Sequence, residues 1–283
     1  MKEIASDIYV EDSYPGVLLG AVIMPKGTLM IDAPPRPDDG RSWQAALRSM
    51  GTGTSRLLLN LDSHPDRTLG NRAMDSTVIA QEETVNIFGE RSAIFKAQIQ
   101  DSGAEWEYCS GLSGIRWLTP NLFYTSHTII NWGEDEILIE HHPGPEPGAS
   151  WVIVPSKEIV FIGDAVVIDQ PPFLENADIP TWVEVLDVLA SSEYKNYTII
   201  SGRGGEVLED HIREQKRFLK DVQKRIERLG RREVDPDETE KLVPKLLSGF
   251  DFPESKEDVF TQRLRYGLYN YYANHYKPEL EEE

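Results

Sequence analysis

Between residues 60 and 67 the chain reads Asn60-Leu61-Asp62-Ser63-His64-Pro65-Asp66-Arg67, two carboxylates and an imidazole at alternate positions, followed by a guanidinium. Carboxylate and imidazole together suit zinc, manganese or iron, and a catalytic metal commonly takes only three protein ligands. A guanidinium does not lose its proton and cannot ligate a metal, so an arginine here serves an anion or a carboxylate instead. Three other places carry similar chemistry: Gly163-Asp164 at the end of an apolar run, Ser201-Gly202-Arg203-Gly204 after another, and His141-His142. Alternation at a strand end would send the two histidines to opposite faces, so that one could reach a cleft, although polar surface residues are the plainer reading. The single cysteine, Cys109, has no histidine at a spacing that suggests a catalytic pair and reads as an inert thiol. His127 reads as a structural histidine, and His211 and His275 as solvent-facing.

Short apolar segments must position these groups. Strands are expected at 7–10, 17–24, 27–32 and 56–61, with Pro25-Lys26-Gly27 turning the second into the third. A helix near 39–50 carries Trp43, Leu47 and Met50 on one face and stops at Gly51, and a weaker helical stretch covers about 83–107. Further strands are expected near 121–131, 135–141, 151–154, 158–163 and 197–201, with a helix at about 180–191. Leu208, Ile212, Leu219, Val222, Ile226 and Leu229 stripe a helix over 206–229 that Gly230 ends, and a last helix over about 256–276 stripes Phe260, Leu264, Leu268 and Tyr272. The tyrosines of that helix read as packing material, and Glu279-Leu280-Glu281-Glu282-Glu283 as a frayed end. Two mostly β halves, each closed by helices, imply two sheets packed face to face with helices outside.

The 283 residues are 40% hydrophobic and carry a formal net charge of −19, from 48 acidic and 29 basic side chains. Such a surface repels phosphate backbones and anionic lipid, which argues against nucleic-acid and membrane partners and leaves a small molecule as the expected ligand. One cysteine, no apolar leader after Met1 and no run of membrane-spanning length place the chain in the cytoplasm as an expectation.

Five motifs, in order, resemble those of the metallo-β-lactamase superfamily. Asn60 to Asn71 is similar to the strand-end His-x-His-x-Asp-His signature, and His142-Pro143-Gly144-Pro145-Glu146-Pro147-Gly148 to the loop carrying the next metal histidine. Trp151 to Asp164 looks like the hairpin whose aspartate bridges two metals, and Pro172 to Asp178 like the stretch that runs into the following helix. Ser201-Gly202-Arg203-Gly204 stands where Pro-Gly-His-Gly supplies the last ligand. The resemblance spans about residues 5–225 and implies an α+β fold, a four-layer αββα sandwich of two mixed sheets. A domain over 1–230 with a helical extension over 231–283 packed on it is expected.

The ligand set that the resemblance implies is largely dismantled. Asp62 stands at the first histidine's place, His64, Asp66 and Asp164 are kept, and Arg67, Pro145 and Arg203 replace the remaining three histidines. Two readings follow. In one, Asp62, His64 and Asp164 hold a single zinc, manganese or iron that activates water against an ester, lactone, thioester or amide. Asp66 then orients that water or takes its proton, and Arg67 and Arg203 hold the anion. In the other no metal is bound, Arg67 and Arg203 offset the clustered carboxylates, and the chain is a non-catalytic ligand-binding or scaffold protein. The cofactor expectation is therefore none or one divalent metal. The last helix could also cover a cleft or form a homodimer contact.

Overall fold

Residues 1–50, 53–96, 101–133 and 135–276 are described by a computed structural model. The strands β1 (Lys2–Ala5), β2 (Ile8–Glu11), β3 (Leu19–Met24) and β4 (Gly27–Ile31) pair antiparallel in chain order. Helix α1 (Pro37–Met50) returns the chain so that β5 (Ser55–Leu59) lies parallel to β4. The single turn α2 (Pro65–Thr68) leads to β6 (Thr77–Gln81), and α3 (Glu82–Glu90) precedes β7 (Leu122–Tyr124); both strands extend the sheet in parallel.

The chain then crosses to a second sheet, where β8 (His127–Asn131), β9 (Glu136–His141), β10 (Ser150–Val154) and β11 (Ile159–Phe161) form an antiparallel meander. Helix α4 (Ile179–Leu189) returns it to β12 (Thr198–Ser201), parallel to β11, and β13 (Gly205–Val207) closes the six-stranded edge. Three helices follow, α5 (Glu209–Gly230), α6 (Val243–Leu247) and α7 (Glu257–Tyr276).

Period-2 alternation sorts the side chains into layers. Met30 and Leu58 face Trp43 and Leu47 of α1, whereas their neighbours Leu29, Ile31 and Leu59 point into the space between the sheets and meet Ile139, Val152 and Phe161. On the far side Trp151, Ile153 and Val160 pack under Trp182 of α4 and Leu219 and Val222 of α5, and the same core takes in Leu264, Leu268 and Tyr272 of α7. This is the αββα sandwich.

Several local expectations shift. The stretch 83–107 is helical over Glu82–Glu90, then forms a bridge between Ile94 and Arg116 and a short turn at Glu105–Tyr108. The cause is packing: Phe95, Trp106 and Leu112 gather around Leu69 and Phe173, which no single straight helix face could do. Leu208, expected on the buried stripe, is exposed at the start of α5, where its N–H donates to His211 Nδ1 at 3.1 Å. Strand β1 had no signal beyond four residues and is half exposed. The stop at Gly51 and the terminal glutamates lie outside the described residues.

Candidate functional site: a buried arginine–carboxylate cluster

The C-terminal ends of the parallel pairs β4–β5 and β11–β12 open on one edge between the sheets, where α/β folds gather their functional groups. The loop after β5 is pinned by a reciprocal pair: Asn60 Nδ2 donates to Asn71 Oδ1 at 3.1 Å and Asn71 Nδ2 returns a bond to Asn60 Oδ1 at 2.7 Å. Asp32, just past β4, adopts a left-handed φ of 61° that aspartate tolerates better than most residues, and its carboxylate accepts the Leu61 N–H at 2.9 Å. Asp62 accepts the His64 N–H at 2.8 Å.

Two guanidiniums fill the centre. Arg67 is fully buried; its Nη1 donates to Asp32 at 3.0 Å, its Nη2 to Asp164 Oδ1, and its Nε stands 3.0 Å from Asp62. Gly202 makes room for it, since a Cβ there would sit 3.0 Å from Nη1 and 3.1 Å from Nη2. Arg203 donates through Nε to Asp164 Oδ2 at 2.9 Å and through Nη1 to Asp66 at 2.9 Å and Glu105 at 3.1 Å, while Nη2 stands 3.1 Å from His64 Nδ1. Asp164 is therefore clamped on one oxygen by each arginine.

A third arginine closes the site from the C-terminal helix. Arg263 of α7 donates to Glu105 Oε1 at 2.8 Å, to the Gly103 carbonyl through Nε and Nη2, and to Gln170 and the Pro171 carbonyl through Nη1. The guanidiniums of Arg203 and Arg263 both lie over the Phe173 ring, 4.8 and 4.2 Å from its centroid, and that ring is 4.3 Å from that of His64. Such contacts exclude water and lower the local dielectric, which strengthens every charge pair inside.

Five carboxylates (Asp32, Asp62, Asp66, Glu105 and Asp164) meet these three guanidiniums, so burial leaves an excess of negative charge. Burial pushes Asp32 up to about 7 against the pull of Arg67, and pushes Asp66 up to about 7 against Arg203. Burial also raises Asp62. It acts on Asp164 and Glu105 too, but there the arginines outweigh it: Arg203 and Arg67 hold Asp164 well below the usual carboxylate range, and Arg263 and Arg203 lower Glu105. Burial, helped by Arg203, keeps His64 neutral. Its Nδ1 accepts from the Asp66 N–H at 3.2 Å and faces the Arg203 donor, so the ring proton sits on Nε2.

The structure thus brings Asp62, His64, Asp66, Arg67, Asp164 and Arg203 into one cluster. It leaves out the other histidines: His141 Nε2 bonds the Pro147 carbonyl at 2.7 Å, and His142 stacks on Trp151 and bonds Glu140. His127 is exposed beside Ser126. His211 sits at the start of α5, and His275 stacks on Tyr271. Cys109 is half-buried, its thiol pushed up by burial. Asp32, Glu105 and Arg263 join the cluster without having been singled out in the sequence.

The donor set does not suit a metal. Both oxygens of Asp164 are taken by guanidiniums, and His64 Nδ1 already accepts from the Asp66 backbone N–H and faces a guanidinium. Among the described residues no three His, Cys, Asp or Glu side chains converge where an ion could sit.

No protein-family model matches the chain, and no curated protein matches it either. Solved structures do. The sec-alkylsulfatase Pisa1 from Pseudomonas sp. superposes with a TM-score of 0.69 at 14% identity, over 96% of this chain and 49% of its own, so this chain spans about half its length. The metallo-β-lactamase DIM-1 superposes with a TM-score of 0.61 at 15% identity, covering 78% of this chain and 96% of its own. A metallo-β-lactamase from Pontibacter korlensis gives 0.59 at 16%, covering 78% and 98%. The chain has the metallo-β-lactamase fold. The alkylsulfatase match is long enough to take in the helices after α5.

Proposed function

We propose that this chain is a metal-free, non-catalytic protein on the metallo-β-lactamase fold, in which two arginines do the charge-neutralising work of two metals, and that it acts by binding a small molecule. The observation that carries the reading is Asp164. The resemblance makes it the carboxylate shared between two metals, and here its two oxygens are shared between Arg67 and Arg203. Two permanently charged guanidiniums, one on each oxygen, satisfy a buried carboxylate without any ion. Glu105 and Arg263 extend the same pairing outward to α7.

The alternative, one metal held by Asp62, His64 and Asp164 with Asp66 acting on its water, requires both arginines to leave positions in which they bond four carboxylates between them, the buried Asp32, Asp66 and Asp164 and the partly buried Glu105. Removing one partner from such a pair costs about 3–5 kcal/mol, which a weakly held ion would not offset. A cytoplasmic location goes with this reading, and no described helix is long and apolar enough to cross a membrane.

Elemental analysis of protein purified without chelator or metal-affinity tag tests the proposal. Far less than one metal per chain, unchanged after incubation with zinc and manganese, is the expected result. Stoichiometric metal that disappears in Asp62→Ala or His64→Ala would restore the single-metal hydrolase.

A further inference from the structure

Beside the arginine cluster lies a cavity of about 390 Å³, within the size range of small-molecule sites, with His64 and Trp106 in its wall. Buried polar atoms nearly always have a hydrogen-bond partner, and an exception asks for a water, an ion or a ligand. Among the described residues, and outside the arginine cluster, Arg91 Nη1 and Glu175 Oε2 are the buried atoms of charged side chains that have none. Both residues line this one cavity.

The Arg91 atom is not left over by accident of a loose side chain. Arg91 is fixed by its other nitrogen, Nη2, which donates to the Ser63 carbonyl at 2.7 Å, and its guanidinium lies 4.4 Å from the Trp117 ring centroid and 4.7 Å from that of Phe88. Glu146, in the same wall, shows what a satisfied carboxyl looks like here: Asn176 donates to one oxygen at 3.0 Å and Ser63 to the other at 3.2 Å. Glu175 lacks such a partner on Oε2, and burial raises its pKa.

We infer that this cavity binds a small zwitterion with an apolar body, an α-amino acid or a close relative. Its carboxylate is taken by Arg91, its ammonium by Glu175, and its side chain lies against Phe95, Trp106 and Trp117. This rests on the reading of the chain as a ligand-binding protein and adds the ligand's chemistry to it. A simple anion would answer Arg91, leave Glu175 unpaired and work against the field of a chain carrying −19. A simple amine would leave Arg91 unpaired. A zwitterion satisfies both and adds no net charge, and the aromatic walls supply the apolar surface.

Calorimetric titration with three probes tests this: L-phenylalanine, 3-phenylpropionate, which lacks the ammonium, and 2-phenylethylamine, which lacks the carboxylate. L-phenylalanine should bind at least about tenfold more tightly than either analogue. Glu175→Gln should bring it down to the level of 3-phenylpropionate, and Arg91→Gln to that of 2-phenylethylamine. Absence of L-phenylalanine binding at millimolar concentration, or affinities for the three probes within about threefold of one another, overturns the inference. Metal content of the same preparation is read separately: a stoichiometric ion contradicts the metal-free reading, whereas metal-free protein that ignores all three probes contradicts only the zwitterion site.

Discussion

Around Asp164, three arginines and five carboxylates meet, and each guanidinium bonds at least two acceptors, although Arg67 Nε, 3.0 Å from Asp62, makes an ion pair without a hydrogen bond. In the neighbouring cavity, an arginine and a glutamate each keep a buried atom with no hydrogen-bond partner among the described residues. The first arrangement is what a protein builds when charge must be held still, because a half-satisfied buried network costs more than an apolar core. The second is what remains when part of the network is expected from outside. Under the proposed metal-free reading, ligand chemistry belongs where pairing is incomplete, and the arginine–carboxylate cluster serves the stability of the sandwich edge.

The largest effect should come from breaking the more fully paired side of this contrast. Arg67→Ala removes the cation shared by Asp32, Asp62 and Asp164 and should cost about 3–5 kcal/mol in urea unfolding, or prevent folding. A loss below about 1 kcal/mol would mean that the cluster is not what holds this edge together. Arg263→Met should cost less, about 2–3 kcal/mol, because Glu105 keeps Arg203 while the Gly103 and Pro171 carbonyls lose a donor. Equal stability of the variant and the parent would separate α7 from the cluster energetically.

The pH dependence sharpens the comparison. Burial pushes Glu146 up to about 8 from an ordinary 4.5, so the folded chain holds this proton more tightly than the unfolded one. Stability from this group is complete below pH 4.5 and is lost as pH rises through about 8. Asp164 has the opposite sign: burial opposes its ionisation but Arg203 and Arg67 prevail, so its contribution is present at neutral pH and lost in acid. Glu146→Gln should flatten the alkaline decline by about 1–2 kcal/mol between pH 5 and 8, and an unchanged slope would assign the decline to Asp32 and Asp66. The smallest effect is expected at Glu175→Gln in ligand-free protein, within about 0.5 kcal/mol of the parent or slightly more stable, because Oε2 has no bond to lose. A loss above about 1 kcal/mol would show that Glu175 is already paired.

The sequence carried the frame of this picture. Resemblance of five strand-end motifs to those of the metallo-β-lactamase superfamily pointed to Asp62, His64, Asp66, Arg67, Asp164 and Arg203, which pattern alone would not have grouped. Asp32 was missed although Ile31-Asp32-Ala33-Pro34 also ends a buried strand; its signal was a lone aspartate with no neighbour of similar chemistry. Glu105 and Arg263 had no local signal, because their roles depend on a loop and a helix that are 158 residues apart and meet only through tertiary packing. The tyrosines of α7 divide as packing dictates: Tyr271 and Tyr272 are buried, while Tyr269 and Tyr276 reach the surface. The vacant bonds of Arg91 and Glu175 could not be read from residue types at all, since an unpaired atom is a property of the folded surroundings.

The central claim, that arginines stand where this fold elsewhere keeps metals, is tested most directly by thermal unfolding with stoichiometric zinc, with excess chelator and with neither. A metal that binds only the folded chain must raise Tm. Three superimposable melting curves are the predicted result. A Tm several degrees higher with zinc, abolished by chelator and by His64→Ala, would contradict it and return the site to metal chemistry.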